Sequence, residues 1–187
     1  MNVYDFDKTI YHGDSTAHFF IYCLKTQPSI WKWLPYQALC TIPFALKITE
    51  KTVFKQRFYR FLTSVKDIDK TVEEFWAIHK KNIKPFYYKT QKPDDVIISA
   101  SPYFLLEPII KQLNISCLMA SNVDKFTGKY DGVNCHGKEK VRRFYEVFPD
   151  GVIDCFYSDS LSDSPLAEIS KQAVMVKNHE LLPWPKK

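Results

Sequence analysis

The sequence predicts an α/β fold: a doubly wound parallel sheet with a helical domain inserted after its first strand. Three observations predict it. Short apolar runs at 2–6, 96–99, 117–120, 152–157 and 173–176 have the length and composition of buried parallel strands. Helical periodicities separate the later runs, the alternation that βαβ units produce. Between the first run and the second, residues 13–82 show helical spacing and no strand signal.

The elements follow in order. The run 2–6 leads into Asp5-Phe6-Asp7-Lys8-Thr9, so the first strand ends at its carboxylates. Asp14 or Ser15 can cap a helix carrying Phe19, Phe20, Tyr22, Cys23 and Leu24. Residues 29–48 are rich in Trp, Leu, Ile and Phe, and 33–46 carries no charge. At 14 residues, with Pro35 and Pro43, that stretch is too short for a transmembrane span. It is either packed inside the helical domain or an interfacial segment, with Trp31, Lys32, Trp33 and Lys47 at head-group level. Thr49 opens a helix with Val53, Phe58, Phe61 and Leu62; Asp67 opens one with Ile68, Val72, Phe75, Trp76 and Ile83. After the strand at 96–99, Ser101-Pro102 starts a helix to about residue 113, with proline in the first turn. Thr127-Gly128 and Asp131-Gly132 mark the turns of a small hairpin over 123–134. Helices at 139–148 and near 165–171 separate the last strands. The catalytic core thus comprises 1–12 and 83–187, and the inserted helical cap 13–82.

Composition narrows the class. The 187 residues are 45% hydrophobic and 25% charged, the balance of an ordinary folded chain with one substantial core. A net charge of +5 suits anionic partners such as phosphate esters or an acidic membrane surface. Lysines and arginines form no long basic block, which argues against nucleic acid, and nothing marks an obligate protein partner. Five cysteines, an odd number without CxxC spacing, argue against a disulfide framework or zinc site and for a reducing, cytoplasmic setting. The first strand starts so near residue 1 that a signal peptide is not expected.

In open parallel sheets, sites form beyond the carboxyl ends of the strands. Four polar clusters fall there or at the next helix start: Asp5 to Thr9, Ser99-Ala100-Ser101, Lys138-Glu139-Lys140, and Ser158-Asp159-Ser160-Leu161-Ser162-Asp163. Together they suit phosphoryl transfer, which needs an in-line nucleophile and neutralisation of the phosphate oxygens. A carboxylate can attack and form an aspartyl-phosphate. Asp5, Asp7 and Asp159 can supply the hard oxygens that magnesium prefers, a lysine adds a point charge, and a serine hydroxyl adds a hydrogen bond.

With these motifs in this order, the sequence resembles the haloacid-dehalogenase-like superfamily, in the phosphoserine-phosphatase-like branch whose helical cap follows the first motif. The resemblance covers nearly the whole chain and implies a Rossmann-like core acting as a magnesium-dependent phosphomonoesterase. It implies Asp5 as nucleophile, and Asp7 as general acid and base with its backbone carbonyl on magnesium. Asp159 would be a magnesium ligand, and Asp163 would orient that shell and the lysine. Lys140 would contact the phosphate, with Lys138 as the alternative. Thr9, Ser99 and Ala100 would line the phosphate site. Asp14 is either a substrate contact or only a helix cap. Ser158 stands where the family often has glycine. The runs 135–141 and 157–160, Pro165-Leu166, and the composition of 27–48 are similar to the bacterial phosphatidylglycerophosphatase C family. That similarity implies a lipid head-group phosphate as substrate and peripheral contact with the inner membrane face. A small polar ester such as phosphoserine, dehalogenation, and a catalytically silent binding module on the same scaffold remain the alternatives. His12, His18, His79, His136 and His179 lack metal-ligand spacing and read as structural or surface residues. Arg57 and Arg60 either form a solvated face or meet an anionic substrate.

Overall fold

The computed structural model describes residues 1–46, 48 and 51–185; Lys47 and the helix start expected at Thr49 lie outside them. Six strands form one sheet: β1 (Asn2–Tyr4), β2 (Val96–Pro102), β3 (Cys117–Ser121), β4 (Ile153–Ser158), β5 (Ser170–Lys177) and β6 (Glu180–Pro183), in the order β3-β2-β1-β4-β5-β6. β1 to β5 are parallel, and β6 runs antiparallel on the β5 edge. β1 is central, with Val3 opposite Val96 of β2 on one side and Phe156 of β4 on the other. The chain leaves β1 for β2 and later returns to its other flank at β4. That reversal opens a crevice at the carboxyl ends of β1 and β4.

Alternation along each strand divides the core. Val3, Ile98 and Phe156 face a cluster with Phe144 and Leu166, from α7 (Lys138–Val147) and α8 (Ser164–Glu168). Tyr4 and Ile97 face the opposite cluster, which includes Leu106 of α6 (Tyr103–Gln112) and Trp76 of α4 (Ile68–His79). This second cluster runs without a break into Phe19 and Cys23 of α1 (Ser15–Thr26), so the inserted helices share a core with the sheet. α4 has the apolar stripe expected of it: Ile68, Val72, Phe75 and Trp76 are buried, and Asp67 accepts from Lys70 N at 3.3 Å as its N-cap. The Trp76 indole N–H donates to Leu105 O at 2.6 Å, tying α4 to α6.

Several expectations need correction. The apolar stretch 33–46 becomes α2 (Leu34–Ala45), which buries only Gln37 and Cys40, while Leu39, Ile42 and Leu46 are 67%, 57% and 65% exposed. It is therefore not the packed interior of the cap. The helix after β2 does not begin at Ser101-Pro102. Both residues belong to the strand, because Pro102 pairs with Ser121 after an irregularity and holds an extended ψ of 136°. No hairpin forms at 123–134; a single bridge joins Val123 to Tyr130 within a turn-rich loop. Ile83 lies beyond α4 and bridges Tyr11. The last helix ends at Glu168, so Lys171 is already in β5. Two elements were not foreseen: α5 (Pro85–Thr90) and β6, whose residues are exposed throughout. α3 (Lys51–Phe58) and 3-10 turns at Pro28–Trp33, Tyr59–Ser64 and Lys80–Asn82 complete the helical segment.

Candidate active site

The first motif is held by backbone geometry on every side. Asp5 N donates to Tyr157 O at 2.9 Å, extending the β1–β4 pairing to the carboxylate. Lys8 turns the chain with a φ of 58°; its N–H donates to Gly13 O at 2.9 Å, and its carbonyl accepts from Lys84 Nζ. Gly13 has φ +102°, and a Cβ there would stand 2.5 Å from the His18 ring, so this turn requires glycine. The chain then enters α1, whose N-cap Asp14 accepts from Ala17 N at 2.9 Å. Asp7 reaches the same helix start. One of its oxygens accepts from Ser15 N at 2.6 Å and the other from the Ser101 hydroxyl.

Lys140 comes from the opposite face of the sheet. Its Nζ lies 2.6 Å from Asp5 Oδ1 and 2.8 Å from Asp163 Oδ2, and all three side chains are buried. Lys138, the alternative, is exposed at the same helix start. Ser158 Oγ donates to Asp163 Oδ2 at 2.8 Å, so serine at this position adds a support for the acid. The other oxygen, Asp163 Oδ1, is buried without a hydrogen-bond partner. Thr9 is wholly buried below the crevice. It donates to Asp5 Oδ2 at 3.4 Å and accepts from Asp159 N at 3.0 Å, linking the first and last motifs instead of lining the cavity.

These groups converge on a cavity of about 400 Å³. Its floor presents Asp5, Asp7, Lys140, Asp159 and Asp163, and one wall Ser99, Ala100 and Ser101. Asp14 stands at its margin, serving as both cap and lining. The structure therefore brings together every predicted site residue except Thr9. The roof comes from the inserted helices: Phe54, Lys55 and Phe58 of α3, and Tyr59. Lys55 Nζ donates to Ala100 O at 2.9 Å, closing the cavity on that side. His136, read from sequence as structural or surface, also lines it. Arg57 and Arg60 point elsewhere, into a shallow groove with Tyr36 and Lys129, as the solvated-face reading expects. Ser101 was foreseen only as a helix cap; its part in holding Asp7 had no sequence signal beyond its place in the second cluster.

Burial and charge crowding set the protonation states. Burial pushes Asp5 up to about 7; Lys140 opposes the shift and Asp163 reinforces it, because one ammonium stands between two carboxylates. Asp7 is pushed up to about 6, again by burial, with Asp14 adding like-charge repulsion against its hydrogen bonds. Burial also raises Asp159. Burial disfavours the charge on Lys140, but Asp5 and Asp163 outweigh it and hold the ammonium protonated above the usual lysine range. The cluster is thus short of positive charge, and it contains a buried carboxylate oxygen without a donor.

A model of the haloacid dehalogenase-like hydrolase family matches residues 3–168, and the chain belongs to that family. Protein CicA of Caulobacter vibrioides (strain NA1000 / CB15N) is 32% identical over 83 residues, which covers 41% of this chain and 37% of the relative's own length. Among solved structures, a protein of unknown function from Bordetella pertussis Tohama I superposes with a TM-score of 0.76 at 16% identity, covering 94% of this chain and 88% of that one. A phosphoserine phosphohydrolase-like protein from Francisella tularensis subsp. tularensis SCHU S4 superposes with a TM-score of 0.59 at 16% identity, covering 96% and 88%. These likenesses establish the fold.

Proposed function

We propose that the chain is a magnesium-dependent phosphomonoesterase that works through an aspartyl-phosphate on Asp5. The observation that carries this reading is the Lys140 ammonium, buried between Asp5 and Asp163 and facing Asp7 across one cavity. In the first step an oxygen of Asp5 attacks phosphorus, and the bond to the leaving oxygen breaks. Asp7 delivers its proton to that oxygen; a carboxyl pushed up to about 6 retains a protonated fraction near neutral pH. In the second step Asp7 takes a proton from water, the water oxygen bonds to phosphorus, and Asp5 leaves with its carboxylate restored. The hydroxyl of Ser99 accepts from Ser101 N at 3.1 Å, which leaves its hydrogen to donate to a phosphate oxygen. Lys140 offsets the charge that builds on the phosphoryl group.

Magnesium fits this donor set. Asp5, Asp159 and the Asp7 carbonyl would hold it, and Asp163 would orient that shell. Among the described residues, no three acidic, His or Cys side chains converge at metal-ligand spacing. What favours a cation here is the buried Asp163 Oδ1 that lacks a donor beside Asp5 and Asp159; magnesium takes one or two carboxylates and completes its shell with waters and substrate phosphate. When bound, magnesium supplies the positive charge that the buried carboxylates lack. Chelation should abolish turnover of an aryl phosphate and magnesium restore it; full activity in chelator would refute the metal assignment.

For the substrate, the reading is a lipid head-group phosphate, with phosphatidylglycerophosphate the case drawn from the sequence resemblance. The roof supports it, because Phe54 and Phe58 offer apolar surface beside Lys55. A small polar ester such as phosphoserine is the second reading. The Asp14 carboxylate at the cavity margin favours it, since it could meet an ammonium group. Turnover of phosphatidylglycerophosphate in mixed micelles against phosphoserine, at equal phosphate concentration, separates the two. Faster turnover of phosphoserine would favour the second.

A further inference from the structure

The inserted helices carry an apolar face with no partner in the fold. Trp31, Leu34, Leu39, Ile42, Leu46 and Ile48 are between 40% and 76% exposed, and all lie within eighteen consecutive residues. Scattered exposed hydrophobics are common, but a contiguous apolar stretch of this kind marks a contact surface. The face is held in place: the Trp31 indole N–H donates to Leu24 O at 2.8 Å, and the Gln37 amide donates to Phe58 O at 2.7 Å. No helix among the described residues is long and apolar enough to cross a membrane.

Charge says what covers it. Residues 15–66 hold eight lysines and arginines against one acid, Glu50, a net +7. The whole chain is +5, so everything outside this segment is net −2. No acidic residue occurs between Asp14 and Glu50. The cations flank the apolar face. Lys25 lines a hollow with Trp31 at one end, while Arg57, Arg60 and Lys129 line a groove with Tyr36 of α2. The positive excess of the sequence thus falls in the segment that carries the exposed apolar helix, and Lys25, Arg57, Arg60 and Lys129 border that helix, a pattern matched by an anionic lipid surface.

We infer that α2, with Trp31 ahead of it, is an interfacial docking face for an anionic bilayer, seated by its apolar residues and steered by the surrounding cations. The face also adjoins the catalytic cavity. Phe44 of α2 stacks on Phe54 at 4.3 Å, and Phe54 lines the roof. A phosphorylated head group could then reach Asp5 while its acyl chains stay in the bilayer; this last step rests on the lipid reading of the substrate, whereas docking does not.

The test uses the full chain and vesicles containing no phosphomonoester, so binding is measured apart from catalysis. Co-sedimentation should be strong with phosphatidylglycerol-rich vesicles, weak with pure phosphatidylcholine, and progressively lost as salt rises. Leu39→Glu with Ile42→Glu should lower partitioning at least about tenfold while leaving aryl phosphate hydrolysis unchanged. Arg57→Gln with Arg60→Gln, which keeps every apolar residue of α2 and removes only the Arg60 contact to Tyr36, should weaken binding about tenfold at low salt and less at high salt. Equal binding to neutral vesicles, or binding indifferent to the α2 substitutions, would overturn the inference. So would a dimer in light scattering that the Leu39 and Ile42 substitutions dissolve, in a protein that ignores vesicles. Loss of aryl phosphate hydrolysis in chelator bears only on the catalytic reading.

Discussion

Asp5 and Asp163 share one cation, and the site's chemistry turns on that inequality. In Asp5→Asn, Lys140 keeps its contact with Asp163, so the buried pair survives while the attacking charge is gone. Aryl phosphate hydrolysis should fall by roughly a thousandfold or more with the fold intact by circular dichroism. A folded variant with activity near wild type would remove Asp5 from the nucleophile's place. Asp95 shows the same physics away from the site. It is fully buried at the start of β2; one oxygen accepts from Lys92 N at 2.9 Å and the other has no partner. Burial pushes it up to about 6 from 3.8, with Asp94 adding to the shift and Lys92 N opposing it. Between those two values the unfolded chain has released its proton and the folded chain has not, so stability falls as pH rises through that window. Asp95→Asn should therefore be more stable than wild type near pH 8, by about 1–2 kcal/mol, and nearly equal to it near pH 4. Thermal melts at the two pH values check this, and an Asn variant equally destabilised at both would contradict it. At this scale the sequence was legible where chemistry demands a residue type in a cluster. Asp5, Asp7, Ser99, Lys140, Asp159 and Asp163 all reach one cavity. Lys55 escaped notice, and His136 read as structural or surface, because no motif marks a side chain that enters a site only through tertiary packing.

Strands and helices with a clear apolar period were legible, and those set by pairing were not. β2 outruns its apolar core because Pro102 still pairs with β3, and no local preference reports a neighbour's register. β6 is only Glu180-Leu181-Leu182-Pro183, too short to show an alternating period and closed by a proline, and it exists through its pairing with β5. The expected hairpin at 123–134 is instead a loop that docks on the inserted helices. Gly128 carries that contact. Its φ is +72°, and a Cβ there would lie 2.4 Å from Tyr59 O, a backbone atom that cannot step aside cheaply. Tyr59 lines the cavity roof, so the loop's fit reaches the site. The exposed ion pair between Lys125 and Asp69, at 2.5 Å, joins the same two regions but is worth about 1 kcal/mol at most. Gly128→Ala should cost about 1–3 kcal/mol and raise KM more than it lowers kcat, because the roof shifts while the floor stays. Asp69→Ala should change stability by less than about 1 kcal/mol. Steady-state kinetics with an aryl phosphate and thermal melts on both variants decide the ranking; a larger cost for Asp69→Ala would reverse it.

Across the whole molecule, the parallel order was readable from the alternation of apolar runs and helical periods, because such a chain has few ways to bury both faces of a sheet. The orientation of α2 was not readable: a 14-residue uncharged stretch looks the same whether it lies inside a core or outside it. What the architecture builds at its centre is a charge imbalance drawn from four segments, with Asp5 and Asp7 after β1, Lys140 on α7, and Asp159 and Asp163 beyond β4. The isolated fold carries Asp5 with its carboxyl raised to about 7 and Asp159 raised by burial, so ionising them at neutral pH destabilises the native state. A cation that binds the native cluster and not the unfolded chain relieves this cost and stabilises the fold by mass action, by about 2.7 kcal/mol at a hundredfold excess over Kd. For a domain of this size that is a rise in Tm of roughly 5–10 °C. Magnesium should produce such a shift near pH 8 and a smaller one near pH 5, where protonation of Asp5 competes with the metal. Asp159→Ala should abolish most of the shift and raise the magnesium requirement of aryl phosphate hydrolysis, since it removes a direct oxygen from a sparsely coordinated hard cation. Thr9→Ala removes only the hydroxyl that joins Asp159 N to Asp5 Oδ2, and should leave most of the shift in place. Differential scanning calorimetry with and without magnesium reads all three proteins. An unshifted wild-type melt would remove the metal from the proposed mechanism, and an equal shift in Asp159→Ala would remove Asp159 from its ligands.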